Sequence, residues 1–129
     1  MVQRIMRIAV AGALMFTVAG TTNAFAKSGD VIKAGACSGT SDWKLKLSPE
    51  DGKIEVEYQV DSNKAGQSWK VRLFENGNRI FAGTRTTQAP SGSFTVRVLA
   101  KNTAGSDSFR ARSENVNNGE ICGGSASIG

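Results

Sequence analysis

The sequence predicts an all-β protein, a seven-stranded antiparallel sandwich of two packed sheets with one disulfide joining its ends. Three observations predict it. Apolar and polar residues alternate with period two through most of the chain, and no segment carries a 3.6-residue stripe. The alternating runs recur at intervals of roughly 8 to 14 residues between Gly-, Pro- and Asn-containing breaks, the spacing of sandwich strands. The two cysteines, Cys37 and Cys122, lie near the two ends of that alternating region.

The first 26 residues stand apart. Arg4 and Arg7 are followed by an uncharged, mostly apolar run over 8–20, too short for a comfortable permanent span, and then by Ala24-Phe25-Ala26, with small residues at signal-peptidase spacing. This reads as a secretory signal cleaved after Ala26. The expected product is secreted, either retained at the cell envelope or released, with no membrane span left after cleavage. Removing residues 1–26 leaves 103 of the 129 residues and lowers the net charge from +5 to +3. So mild an excess of positive charge, without a basic tract, argues against nucleic acid. An exported chain of about 100 residues buries a lean core. A Cys37–Cys122 bridge would stabilise it by up to ~4 to 5 kcal/mol on the chain-entropy estimate. Ala34-Gly35-Ala36-Cys37 faintly resembles a lipid-attachment site, but the apolar run stops far upstream and acylation would orphan Cys122.

Residues 27–41 read as a polar lead segment, and the domain spans 42–129. Trp43, Leu45 and Leu47 form the first strand, and 48–52, with Pro49 and Gly52, a turn. Ile54, Val56, Tyr58 and Val60 alternate with Glu55, Glu57 and Gln59 in the second. A polar connection over 61–67 leads to Trp69, Val71 and Leu73. Asn76-Gly77 then predicts a two-residue type I′ hairpin, which would pair Leu73 with Ile80, Arg72 with Phe81 and Phe74 with Arg79. After a break at 88–92 come Phe94, Val96 and Val98, and after 101–107 come Phe109 and Ala111. A second hairpin at Asn118-Gly119 would pair Ala111 with Ala126 and Phe109 with Ile128.

With these strands placed, residues 42–128 resemble immunoglobulin-like and fibronectin type III-like modules. The likeness rests on strand count, on Trp43 and Trp69 in early strands, and on Phe94-x-Val96-x-Val98-x-Ala100-x-Asn102-x-Ala104-Gly105, which is similar to a late strand and corner of such modules. Two strand candidates follow that stretch where the fibronectin pattern leaves one, and a Cys-Trp-Cys core is absent. The chain is also similar to small exported bacterial β-sandwich proteins of unassigned activity. The resemblance implies an immunoglobulin-like sandwich and carries over no site.

Composition excludes much chemistry. The chain has no histidine, so a Ser-His-Asp triad, an imidazole base and a His-ligated zinc are out of reach, and two cysteines cannot make a four-thiolate site. Glu55 and Glu57, on one strand face, read as partners for Lys44, Lys46 or Arg97 rather than as a catalytic pair. The stretch 61–66 begins like a calcium loop but places Ala65 and Arg72 at ligand positions, and so reads as a turn. The expectation is a non-enzyme with no catalytic residue, no metal and no cofactor.

One distribution points to binding. If Val71, Leu73, Ile80, Ala82, Phe109 and Ala111 face the core, then Lys70, Arg72, Phe74, Arg79, Phe81, Arg85, Arg110 and Arg112 face outward together. That places five of the six arginines of the exported portion on one sheet, with no strand-interior carboxylate answering them. Guanidinium forks beside aromatic rings suit an anionic polymer of the envelope or an acidic protein surface. A β-bulge would turn one Phe inward and dissolve the patch. The alternative is a small secreted protease inhibitor acting through a loop, with 83–92 and 115–120 as the candidates. Oligomeric state is not legible in the sequence.

Overall fold

The computed structural model describes residues 29–129; the expected signal segment lies outside the described residues. Within them the chain forms eight strands and no helix: β1 Val31–Ala36, β2 Asp42–Glu50, β3 Lys53–Asp61, β4 Ser68–Glu75, β5 Asn78–Thr86, β6 Ser93–Lys101, β7 Asp107–Asn115 and β8 Ile121–Ile128. They make two four-stranded antiparallel sheets, ordered β1-β2-β3-β6 and β5-β4-β7-β8. The count is eight rather than the expected seven, because the polar lead contributes β1. Its residues Val31-Ile32-Lys33-Ala34-Gly35-Ala36 show no period-two pattern, yet all six pair with Asp42 to Leu47 of β2.

Period-two alternation builds the interior as the physics requires: one parity of each strand is removed from water and the other is left in it. Leu45 and Leu47, then Ile54, Val56, Tyr58 and Val60, then Phe94 and Val96 come from the first sheet. Trp69, Val71 and Leu73, with Phe109, Ala111 and Ala126, come from the second. The rings of Tyr58 and Trp69 each lie about one ring contact from Phe94, with centroids 6.3 and 6.2 Å away. One polar link crosses the core. Tyr58 Oη and Ser113 Oγ are 2.7 Å apart, and burial pushes the Tyr58 phenol up to about 12.

The disulfide joins Cys37, just after β1, to Cys122 in β8, with Cα atoms 4.4 Å apart. It tethers the outer strand of one sheet to that of the other, where Trp43 also lies against Gly35 of β1 and Gly124 of β8. This flank of the sandwich is therefore closed.

Three hairpins depart from expectation, two in the turn and one in the register. β2 runs on through Ser48 and Pro49, and the reversal is the two-residue Asp51-Gly52 turn with φ of 48° and 79°. Proline is tolerated because Pro49 faces Ile54 one pair beyond the hairpin end, a pairing in which its nitrogen points away from β3, and β1 stops at Leu47. The Asn76-Gly77 turn forms as expected, with φ of 49° and 85° and Phe74 opposite Arg79. The register then shifts between Leu73 and Phe74, so that Leu73 faces Phe81 and Ile80 is the extra residue of a bulge. The final hairpin is longer than predicted: Asn115 N donates to Glu120 O across 116–119, and Phe109 faces Ala126, not Ile128. Asn115 Oδ1 causes this by accepting from Asn117 N and Asn118 N, which caps a wider loop.

Candidate functional site: the outer face of the β5-β4-β7-β8 sheet

The bulge decides which of the expected residues share a face. Beyond Ile80 the parity of β5 is reversed relative to the expectation. Phe81 opposes Leu73, Gly83 opposes Val71 and Arg85 opposes Trp69, all on the inward side, while Ala82 and Thr84 are exposed outward. Phe81 packs half-buried against the core rim with the Arg85 guanidinium 4.9 Å from its ring centre. Phe81 and Arg85 therefore leave the predicted patch, and Ala82 leaves the predicted core. The physical reason is the one extra residue, which exchanges the two sides of everything that follows it.

Six of the eight predicted residues remain together: Lys70, Arg72 and Phe74 on β4, Arg79 on β5, and Arg110 and Arg112 on β7. Four arginines, rather than five, share this face. Register sets their neighbours. Arg72 stands directly opposite Arg112, and Phe74 stands between Arg79 and Arg110. The Arg110 guanidinium lies 4.2 Å from the Phe74 ring centre, so the half-buried ring is already covered by its own cation. Ala82 and Thr84 on one side, and Gly123 and Ser125 on the other, flank this central ridge with small residues that leave shallow grooves.

The sequence reading missed Glu114, which opposes Lys70 on the same face. Its signal lies in the sequence, where Glu114 continues the Arg110, Arg112 alternation by one more step. Among the described residues, no carboxylate lies within 4.0 Å of the charged nitrogens of Lys70, Arg72, Arg79, Arg110 or Arg112. The other sheet's outer face is different. There Glu57 meets Arg97 at 3.0 Å and Lys46 at 4.0 Å, and Lys46 also reaches Asp30 at 3.9 Å. Glu57 thus takes the partners expected of it. Glu55 faces Ser48 and Leu99 instead.

A second feature without forewarning is a buried acid pair at one end of the sandwich. Glu75, 7% exposed, ends β4, and Asp107, fully buried, begins β7. Asp107 accepts from Asn76 Nδ2 at 3.0 Å, from Thr103 N at 3.1 Å and from the Thr103 hydroxyl. These donors hold its carboxyl below the usual range, while burial and then the Asp107 charge raise that of Glu75. Both residues sit on the inward parity, Glu75 after Leu73 and Asp107 before Phe109, and this is where sequence reading could have found them.

The loop candidates are shorter than expected. Residues 83–86 belong to β5, and the remaining turn carries a cis Ala89-Pro90 bond and is tied back by Gly92 N to Gln88 O and Thr87 N to Gln67 O. Glu120, at the base of the other loop, is engaged in accepting from Gly39 N, Ser41 N and the Ser41 hydroxyl. It approaches Cys37 and Cys122, whose sulfurs are committed to the disulfide.

Compared with protein-family models the chain matches none, and comparison with curated proteins returns no significant match.

Proposed function

We propose that the chain is an exported, non-catalytic binding module whose basic sheet face engages an anionic polymer of the cell envelope. The observation that carries this reading is the Arg72–Arg112 pair. Like charges placed directly opposite across strands destabilise a sheet, and among the described residues no carboxylate lies within 4.0 Å of either guanidinium, whereas on the opposite outer face Arg97 and Lys46 reach Glu57. A face that keeps such a cost is organised for something other than stability. Guanidinium forks supply paired donors to phosphate, sulfate or carboxylate groups.

The fold part of the reading is an immunoglobulin-like sandwich in its fibronectin type III-like form. It is supported by the order of strands β2 to β8, with β2-β3-β6 in one sheet and β5-β4-β7-β8 in the other. The fourth of these seven strands lies beside the third, unlike the antibody constant arrangement. β1 is then an added outer strand. Export is supported by the signal-like leader in the sequence and by the disulfide, a bond that persists outside a reducing cytosol.

The test replaces Arg72, Arg79 and Arg110 with Ser and measures retention on acidic polymers or envelope preparations across salt concentrations. Binding of the unmodified protein should fall with salt, and the triple variant should lose at least tenfold in affinity. Undiminished binding by the triple variant would reject the assignment.

A further inference from the structure

The cations of this face are ordered, not merely numerous. Cross-strand partners define three rungs. The first holds Arg79, Phe74 and Arg110, and the second holds Arg72 with Arg112. The third holds Lys70 with Glu114. Alternate residues of a strand are about 6.8 Å apart, so positive charge recurs about every 7 Å along the seam between β4 and β7. Across the strands it extends beyond β4 and β7 only at Arg79 of the first rung; the other flanking positions are Ala82, Thr84, Ser125, Gly123 and Ile121.

Resting on the reading above, we infer that this face binds a linear polyanion, a phosphodiester chain with charges about six backbone bonds apart, laid along the β4–β7 seam and spanning three repeats. The match of period has a simple origin. Two residues of an extended peptide are themselves six backbone bonds long, so a phosphodiester chain with a three-carbon spacer extends by about the same ~7 Å per charge. Three rungs then meet three consecutive phosphates. Nucleic acid has the same backbone count, but base stacking needs free aromatic faces, and the face's one ring, Phe74, is half-buried and covered by Arg110. An acidic protein would need apolar anchors at the centre of its footprint, where this face offers Arg72 and Arg112.

The third rung makes the orientation testable, since only a ligand lying along the seam reaches Lys70 and Glu114. Both side chains are exposed, so their replacement leaves the fold intact. Glycerol-phosphate oligomers of one to six phosphates serve as probes, with binding followed by titration calorimetry at low and moderate salt. Affinity should rise steeply to three phosphates and then flatten. Lys70→Ser should weaken the three-phosphate and longer oligomers about three- to tenfold without affecting the two-phosphate oligomer, and Glu114→Gln should tighten them about two- to fivefold. If long oligomers bind and depend on Arg72 but ignore both substitutions, the seam orientation is wrong while the basic face survives as a binding site. Tighter binding of single-stranded oligonucleotides, sulfated oligosaccharides or acidic peptides of equal charge would overturn the ligand class. Absence of salt-sensitive binding to any of these polyanions would remove the functional reading itself.

Discussion

Ser113 and Tyr58 show how much rests on single groups in a lean core. Their hydroxyls satisfy each other between the sheets, so Ser113→Ala strands a buried phenol and should cost about 1 to 3 kcal/mol. Adding Tyr58→Phe removes the stranded group, and the double variant should recover much of that loss in urea denaturation; additive losses would show that the two hydroxyls do not act as a pair. Glu75 and Asp107 give stability a two-sided pH dependence. Asp107 binds its proton more weakly when folded, so its contribution is present above the ordinary Asp value and fades as pH falls through the depressed one. Glu75 binds its proton more tightly when folded, so its contribution is present below the ordinary Glu value and fades as pH rises through the raised one. Denaturation midpoints between about pH 3 and pH 8 should therefore pass through a maximum. Glu75→Gln should flatten the alkaline side and Asp107→Asn the acid side, and an unchanged alkaline side in Glu75→Gln would contradict the placement of a buried Glu75 beside the Asp107 charge.

At the scale of elements, the closed flank and the bulge matter most. The disulfide joins the outer strands of both sheets, and Cys37→Ser with Cys122→Ser should lower stability by up to ~4 to 5 kcal/mol while keeping the sandwich, as read by denaturation and circular dichroism. Gly124 admits the Trp43 ring, and an added methyl would run into it, so Gly124→Ala should cost about 1 to 3 kcal/mol. The strands and both packed faces were legible because burial imposes period two on the side chains of Ile54 to Val60 or Trp69 to Leu73. β1 was not, since pairing along β2 needs backbone groups rather than a pattern of side chains. The Ile80 bulge was not, because a single extra residue leaves composition unchanged while it reverses Phe81 and Arg85. The wide 116–119 loop escaped because Asn118-Gly119 promises a tight turn that Asn115, capping from outside it, overrides.

For the whole molecule, the modest total charge conceals a division between two outer faces. One pairs Lys46 and Arg97 with Glu57, and the other leaves Arg72, Arg79, Arg110 and Arg112 with no carboxylate within 4.0 Å among the described residues. The candidate site was legible to the extent that strand parity held: the β4 and β7 residues stand where expected, and only those beyond the bulge were displaced. If the basic face releases counterions on binding, the logarithm of affinity for an acidic polymer should fall linearly with the logarithm of salt, and each Arg→Ser on the face should flatten that slope by a similar step. The most direct test follows backbone amide resonances of the intact, oxidised protein while a glycerol-phosphate oligomer is added. Shifts should concentrate at Lys70, Arg72, Arg110 and Arg112 on β4 and β7. Shifts confined instead to the Lys46, Glu57 and Arg97 face, or to the loops at 87–92 and 116–119, would contradict the account.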